Sequence, residues 1–261
     1  MSLDLLHVSA QLLTAFLLLF GRCLGLFVTM PVFGETNVPW QAKVGVSLLT
    51  AFCLLPAAHS QMPLPADNLL LLGLGLTHEM LIGISLGYLA RLMLGAFQFA
   101  VNILDFMSGL SFAQMVDPAN AADSSVLATF INTFVLLMFL ETDGHHLLLR
   151  ALGRSVALAP LGYGGPPLPR PELVAEMFGH FVQFGVQLAL PTVLVLLTID
   201  IGLGIVGKVV PTLNVHLVAL PIKMLVTVST LAATLPLLSG IMSRLLGALG
   251  DGYRAYIGMM G

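Results

Sequence analysis

Between Asn68 and Leu104 the chain carries formal charge only at Glu79 and Arg91. About 20 apolar residues suffice for a helix to cross a bilayer, so this stretch is too long and too apolar for the surface helix of a water-soluble domain. Five more stretches read the same way: Leu5–Met30, Gln41–Ala57, Ser125–Leu149, Glu172–Val210 and Val215–Leu249. Composition agrees. The 261 residues are 57% hydrophobic and 9% charged, whereas soluble domains carry about 25% charged residues. With a mean hydropathy of +0.99, the chain has too little polar surface to cover a water-soluble fold of this size. The expected fold is all-α, built from membrane-type helical hairpins with long, Pro-kinked helices. A net charge of −3 gives no basic field for nucleic acid.

The N-terminal "MSLDLLHVSAQLLTAFLLLF" lacks a basic leader, and its apolar run outlasts a signal segment, so it reads as a retained first helix. Cys23 and Cys53 lie inside apolar runs without CxxC spacing and read as small hydrophobes. Pro31, Gly34 and Pro39 stop the first segment. "PLGYGGPPLPRPE" forms an extended linker at 160–172, dividing an N-terminal part (1–159) from a C-terminal part (173–261). Pro191, Pro211, Pro221 and Pro236 predict kinked or broken helices in the last two segments. With six simple crossings, Lys43, Arg91 and Lys208 fall on one side. Arg150, Arg154, Arg170, Arg244 and Arg254 fall on the other, a bias that barely orients the chain.

Glu79, Gly83, Gly87, Arg91 and Gly95 follow one another at i+4 and form a single helix ridge, and Gly21 and Gly25 make a second small pair. Glycine at this spacing lets another backbone come close. The ridge therefore reads as a packing face, either within the chain or toward another subunit. Arg22, Asp105, Asp200, Lys208 and Lys223 also fall inside apolar segments, together with the ridge's Glu79 and Arg91. Each costs roughly 2.5–3.5 kcal/mol on insertion scales, so these charges should face protein or water, as interhelical anchors or along an ion pathway. Asp200 and Lys208 stand two helical i+4 steps apart, about 12 Å along the axis, and cannot pair on a straight helix.

"ETDGHHLLLR" (Glu141–Arg150) puts two histidines beside carboxylates. Adjacent residues on a helix point about 100° apart, so this block reads as a polar helix end and no metal is expected. No GxSxG, HExxH or phosphate-loop pattern occurs, and no cofactor is expected. One stretch resists these readings. "GLSFAQMVDPANAADSS" (Gly109–Ser125) mixes Phe112 and Met115 with Asp117, Asn120 and Asp123 between two apolar segments.

Taken in order, "GRCLGLFVTMPVFGETNVP", "HEMLIGISLGYL", "GLSFAQMVDP", "DGHHLLL" and "LALPTVLVLLTIDIGLGIVGKVVPTLNVHLVALPIK" resemble the FliR family of flagellar biosynthetic proteins, homologues of the SctT component of injectisomes. The resemblance spans nearly the whole chain. It implies a single-copy, non-enzymatic subunit of an export gate in the bacterial inner membrane, at the flagellar basal body, with parts raised toward the periplasm. FliP and FliQ homologues are the implied partners, with FlhB and FlhA nearby and unfolded export substrates passing through. It further implies that the N-terminal part is FliP-like and the C-terminal part FliQ-like. Export is powered by the proton motive force and by an ATPase elsewhere. The 109–122 stretch then becomes a pore plug. Leu110, Phe112 and Met115 would close the channel, since apolar constrictions gate by dewetting. Gly109, Pro118 and Asn120 would shape the loop, and Asp117 would hold a turn or helix cap.

Two other classes remain to be separated. A small-solute secondary transporter fits the Pro-broken helices but would show two matching half-repeats. An intramembrane enzyme would need a nucleophile–base constellation. Within the export reading, "PTLNVHLVALPIK" and "GLSFAQMVDPANA" favour the flagellar over the injectisome branch.

Overall fold

The structure, a computed structural model, describes residues 2–61, 69–109, 126–159, 161–162, 168–210 and 215–260. Among them every regular element is a helix. These are α1 (Ser2–Thr29), α2 (Trp40–Leu54), a 3₁₀ turn (Leu55–Gln61), α3 (Leu69–Ser108), α4 (Val126–Glu141), α5 (Gly144–Leu158), α6 (Pro171–Val209) and α7 (Val215–Gly258). Five helices are long and apolar enough to cross a membrane, and six if the bent pair α4–α5 counts as one span.

The local signals explain most of the boundaries. After α1 the chain turns through Val32, whose φ of 75° is a strained conformation for a β-branched residue. The turn is held by the Gly34 N–H donating to the Met30 carbonyl at 2.7 Å and by edge-to-face packing of Phe27 on Phe33, with ring centroids 5.4 Å apart. Pro171 opens α6 at its first position, where the missing N–H costs nothing. Pro191 lies inside α6, and Pro221 and Pro236 inside α7. Both helices run through these prolines without a break, so of the two expectations, kinked or broken, a break at Pro191, Pro221 and Pro236 is the one set aside. Apolar surroundings favour continuity, because a fully broken segment would expose many backbone groups where proline removes only one donor. The fourth apolar stretch, by contrast, is two helices parted at Thr142–Asp143.

By packing, the residues group into two units. The first comprises residues 1–93, 143–178 and 246–261, and the second 94–142 and 179–245. In the first, Leu19, Leu26, Met30, Ile82, Leu86, Leu89, Leu152, Leu249 and Tyr256 are buried. In the second, Phe97, Val101, Leu104, Phe139, Leu188, Leu196, Leu238 and Leu245 are buried. The grouping cuts α3, α6 and α7, whereas the expected division at 160–172 rests on the proline-rich composition of that stretch. Much apolar surface stays uncovered on α6 and α7, including Ile201, Ile205, Val209 and Leu225.

Candidate functional site

In the first unit both glycine pairs lie where α1 and α3 cross. A Cβ on Gly83 would collide with the Arg22 carbonyl oxygen and stand 2.8 Å from the Leu26 nitrogen. One on Gly87 would strike Thr29 Oγ1 and lie 2.9 Å from the Leu26 oxygen and the Met30 nitrogen. From the other side, a Cβ on Gly25 would collide with the Met80 oxygen and lie 3.0 Å from the Ile84 nitrogen. The α1 and α3 backbones thus touch directly, which only residues without a side chain permit. The ridge therefore does not offer a free face at Glu79, Gly83 and Gly87. α1 of the same chain fills it. Farther along, Gly95 faces the Phe181 ring, with 3.3 Å from its Cβ position to Phe181 Cε2, and Arg91 is exposed.

This crossing encloses a buried charge network. Arg22 and Glu79 are both fully buried and form an ion pair through Arg22 Nε and Glu79 Oε2. Arg22 Nη1 also donates to Ser155 Oγ on α5 at 3.2 Å. The other carboxylate oxygen of Glu79 accepts the Gly162 N–H at 2.8 Å. Gly162 has a φ of +96°, a left-handed conformation that suits glycine. One ion pair thus ties α1, α3, α5 and the residues following α5. Tyr253 on α7 adds a hydrogen bond to the Leu86 carbonyl at 2.7 Å. Paired in this way, the charges avoid the full cost of burial. The sequence flagged Arg22 and Glu79 but gave no sign of Ser155, Gly162 or Tyr253, which look like ordinary small or aromatic residues.

The second unit holds a second ion pair. Lys223 on α7 pairs with Asp200 on α6 through Nζ and Oδ1. Its Nζ also donates to the Met107 carbonyl at 3.5 Å. That carbonyl lies in the last turn of α3, where backbone acceptors lack helical partners and a cation is favourable. Gly109, at φ +81°, follows this turn, and a Cβ there would lie 2.7 Å from Leu220 Cδ2. Asp105 is buried nearby in the chain, on the same turn. Lys208, in contrast, is exposed in the last turn of α6, so its expected burial is corrected. There it faces the carbonyl end of its own helix, a placement the macrodipole favours.

Asp200→Asn is expected to lower the melting temperature of the detergent-solubilised chain modestly. Asp200 keeps 39% of its side chain exposed, so the loss is about 1 kcal/mol, or roughly 2–4 °C for a chain of this size. The reversed pair Asp200→Lys with Lys223→Asp should recover the ion pair but not the Met107 contact. Differential scanning fluorimetry checks both.

The polar block after α4 differs from its sequence reading. Asp143 adopts a left-handed conformation, with φ 57° and ψ 26°, and makes no side-chain cap. Its Oδ1 instead lies 2.8 Å from His146 Nδ1. The rings of His145 and His146 approach to 4.1 Å between centroids. Leu110, Phe112, Met115, Asp117, Pro118 and Asn120 of the expected plug lie outside the described residues, as do residues 160 and 163–167 of the 160–172 linker.

The family model for bacterial export proteins, family 1, matches residues 13–249. The chain belongs to this family. Both ion pairs, both glycine pairs and the histidine block fall within the matched region. Among the relatives of this export family, the flagellar biosynthetic protein FliR of Bacillus subtilis is 34% identical over 221 residues, covering 83% of this chain and 84% of the relative. FliR of Escherichia coli is 32% identical over 220 residues, covering 84% and 83%. The surface presentation of antigens protein SpaR of Salmonella typhimurium is 27% identical over 205 residues, covering 78% and 76%.

Proposed function

We propose that this export-family member is a structural pore subunit of the flagellar type III export gate. It assembles with FliP and FliQ homologues and conducts unfolded flagellar substrates across the inner membrane. It acts without catalysis, beside FlhB and FlhA, and part of it is raised toward the periplasm. The observation that carries the reading is the match to FliR proteins over more than four-fifths of both chains. The apolar side chains left bare on α6 and α7 suit a chain completed by lipid and by other helical subunits. Gly109 to Ala122 serve as the pore plug, rooted at the end of α3 where Lys223 and Leu220 meet it. The SpaR relative keeps a virulence injectisome as the second reading. Neighbouring flagellar-assembly genes would favour the first, and secretion-island genes the second.

Co-expression with FliP and FliQ homologues should yield one complex eluting far ahead of the 27.7 kDa chain. Shortening the 109–122 stretch should leave complex abundance unchanged while making cells that express the gate alone leaky to small ions. A monodisperse monomer that transports a small solute would overturn the assembly reading. Unchanged permeability at normal abundance would overturn the plug.

A further inference from the structure

We propose that Asp143, His145 and His146 form a binding site for a divalent transition-metal ion of the zinc type. Three observations meet here. Each residue offers one ligand atom, and the three atoms lie within 4.8 Å of one another. The rings of His145 and His146 converge to 4.1 Å between centroids, although neighbouring positions on a helix diverge by about 100°. Nδ1 of His145 is buried and has no hydrogen-bond partner among the described residues. A buried imidazole nitrogen without a donor or acceptor is costly, and a metal ion would satisfy its lone pair.

Imidazole nitrogen and carboxylate oxygen are the donor set of zinc, at bond lengths of about 2.0–2.2 Å. Tetrahedral coordination at those lengths places ligand atoms about 3.4 Å apart. Asp143 and His146, with side chains 66% and 53% exposed, have room to rotate toward that spacing. The Asp143 carboxylate already lies 2.8 Å from His146 Nδ1 across the first turn of the helix. The carboxylate charge also offsets the positive end of the α5 dipole, which otherwise repels a cation. Three protein ligands leave room for water in the remaining position. The site closes the N-terminal turn of α5 and is independent of the gate reading.

The test uses the purified full-length chain in detergent, titrated with zinc chloride against a chromophoric chelator. One equivalent per chain should bind at micromolar free zinc. His146→Gln and Asp143→Asn, at exposed positions that tolerate substitution, should each weaken uptake at least tenfold. The double variant His145→Ala/His146→Ala should abolish it, and His180→Ala should leave it intact. Helix content by circular dichroism confirms that the variants fold. Absence of zinc uptake above that of the double variant would overturn the proposal. So would equal losses in His180→Ala, or undiminished uptake in both single variants.

Discussion

Gly83→Leu unfolds the chain before any partner is present. The first side-chain atom already overlaps the Arg22 carbonyl and crowds the Leu26 nitrogen. Both belong to helix backbone, which cannot rotate aside as a side chain can. Overpacking typically costs about 1–3 kcal/mol, and a clash of backbone with a branched side chain sits at the top of that range or beyond it. A domain's whole stability is about 5–15 kcal/mol. Limited proteolysis and thermal melting of the chain expressed alone should both register the loss. Gly45→Ala and Gly202→Ala are the controls, because a Cβ at either position meets nothing within 4 Å. In a helix these should be neutral or stabilising by a few tenths to about 1 kcal/mol. If Gly83→Leu melts like the wild type alone and fails only on assembly, the α1–α3 contact is wrong and the ridge faces another subunit.

Arg22→Met is the second large effect. It strips Glu79 of its counter-charge while the carboxylate stays fully buried. Breaking a buried pair from one side costs about 3–5 kcal/mol. Glu79→Gln should be milder in geometry, since the amide oxygen can still accept the Gly162 N–H, yet it leaves the guanidinium uncompensated. The informative variant is Arg22→Met with Glu79→Leu. Replacing both partners by apolar groups is often neutral or even stabilising, so the double variant should be more stable than either single one. Urea unfolding in detergent, followed by circular dichroism, orders the four proteins. A double variant no better than Arg22→Met would show that Ser155 and Gly162, rather than the ion pair, carry the stabilisation.

The helices were legible because hydropathy in a chain this apolar leaves little choice. α3, α6 and α7 begin and end within a few residues of the stretches marked by sequence, except that α7 continues to Gly258. The helix end at Asp143 was signalled by the polar block Glu141–His146, but the left-handed aspartate that makes the turn has no signature beyond the glycine that follows it. Both glycine pairs were visible as pairs, but spacing along one helix cannot say which surface it meets, and each proved to lie against the helix that carries the other. Asp200 suffered the same limit. Its nearest cation along the helix is Lys208, yet it bonds to Lys223 on the next helix. Ser155 and Gly162 joined the buried network without any sequence signal, because a single hydroxyl or backbone N–H acquires meaning only when a distant charge arrives beside it.

That distance sets a schedule for making the protein. Arg22 is paired with a residue 57 positions later in the chain and hydrogen-bonded to one 133 positions later. At synthesis rates of about 5–20 residues per second, α1 waits roughly 3–11 seconds for Glu79 and roughly 7–27 seconds for Ser155. During that interval an arginine occupies an apolar segment with no counter-charge, at the insertion cost its charge carries. The first helix is therefore expected to settle only once α3 emerges and supplies Glu79. On this schedule the arrival of one glutamate, more than the hydrophobicity of the first span, should set when α1 is locked in place.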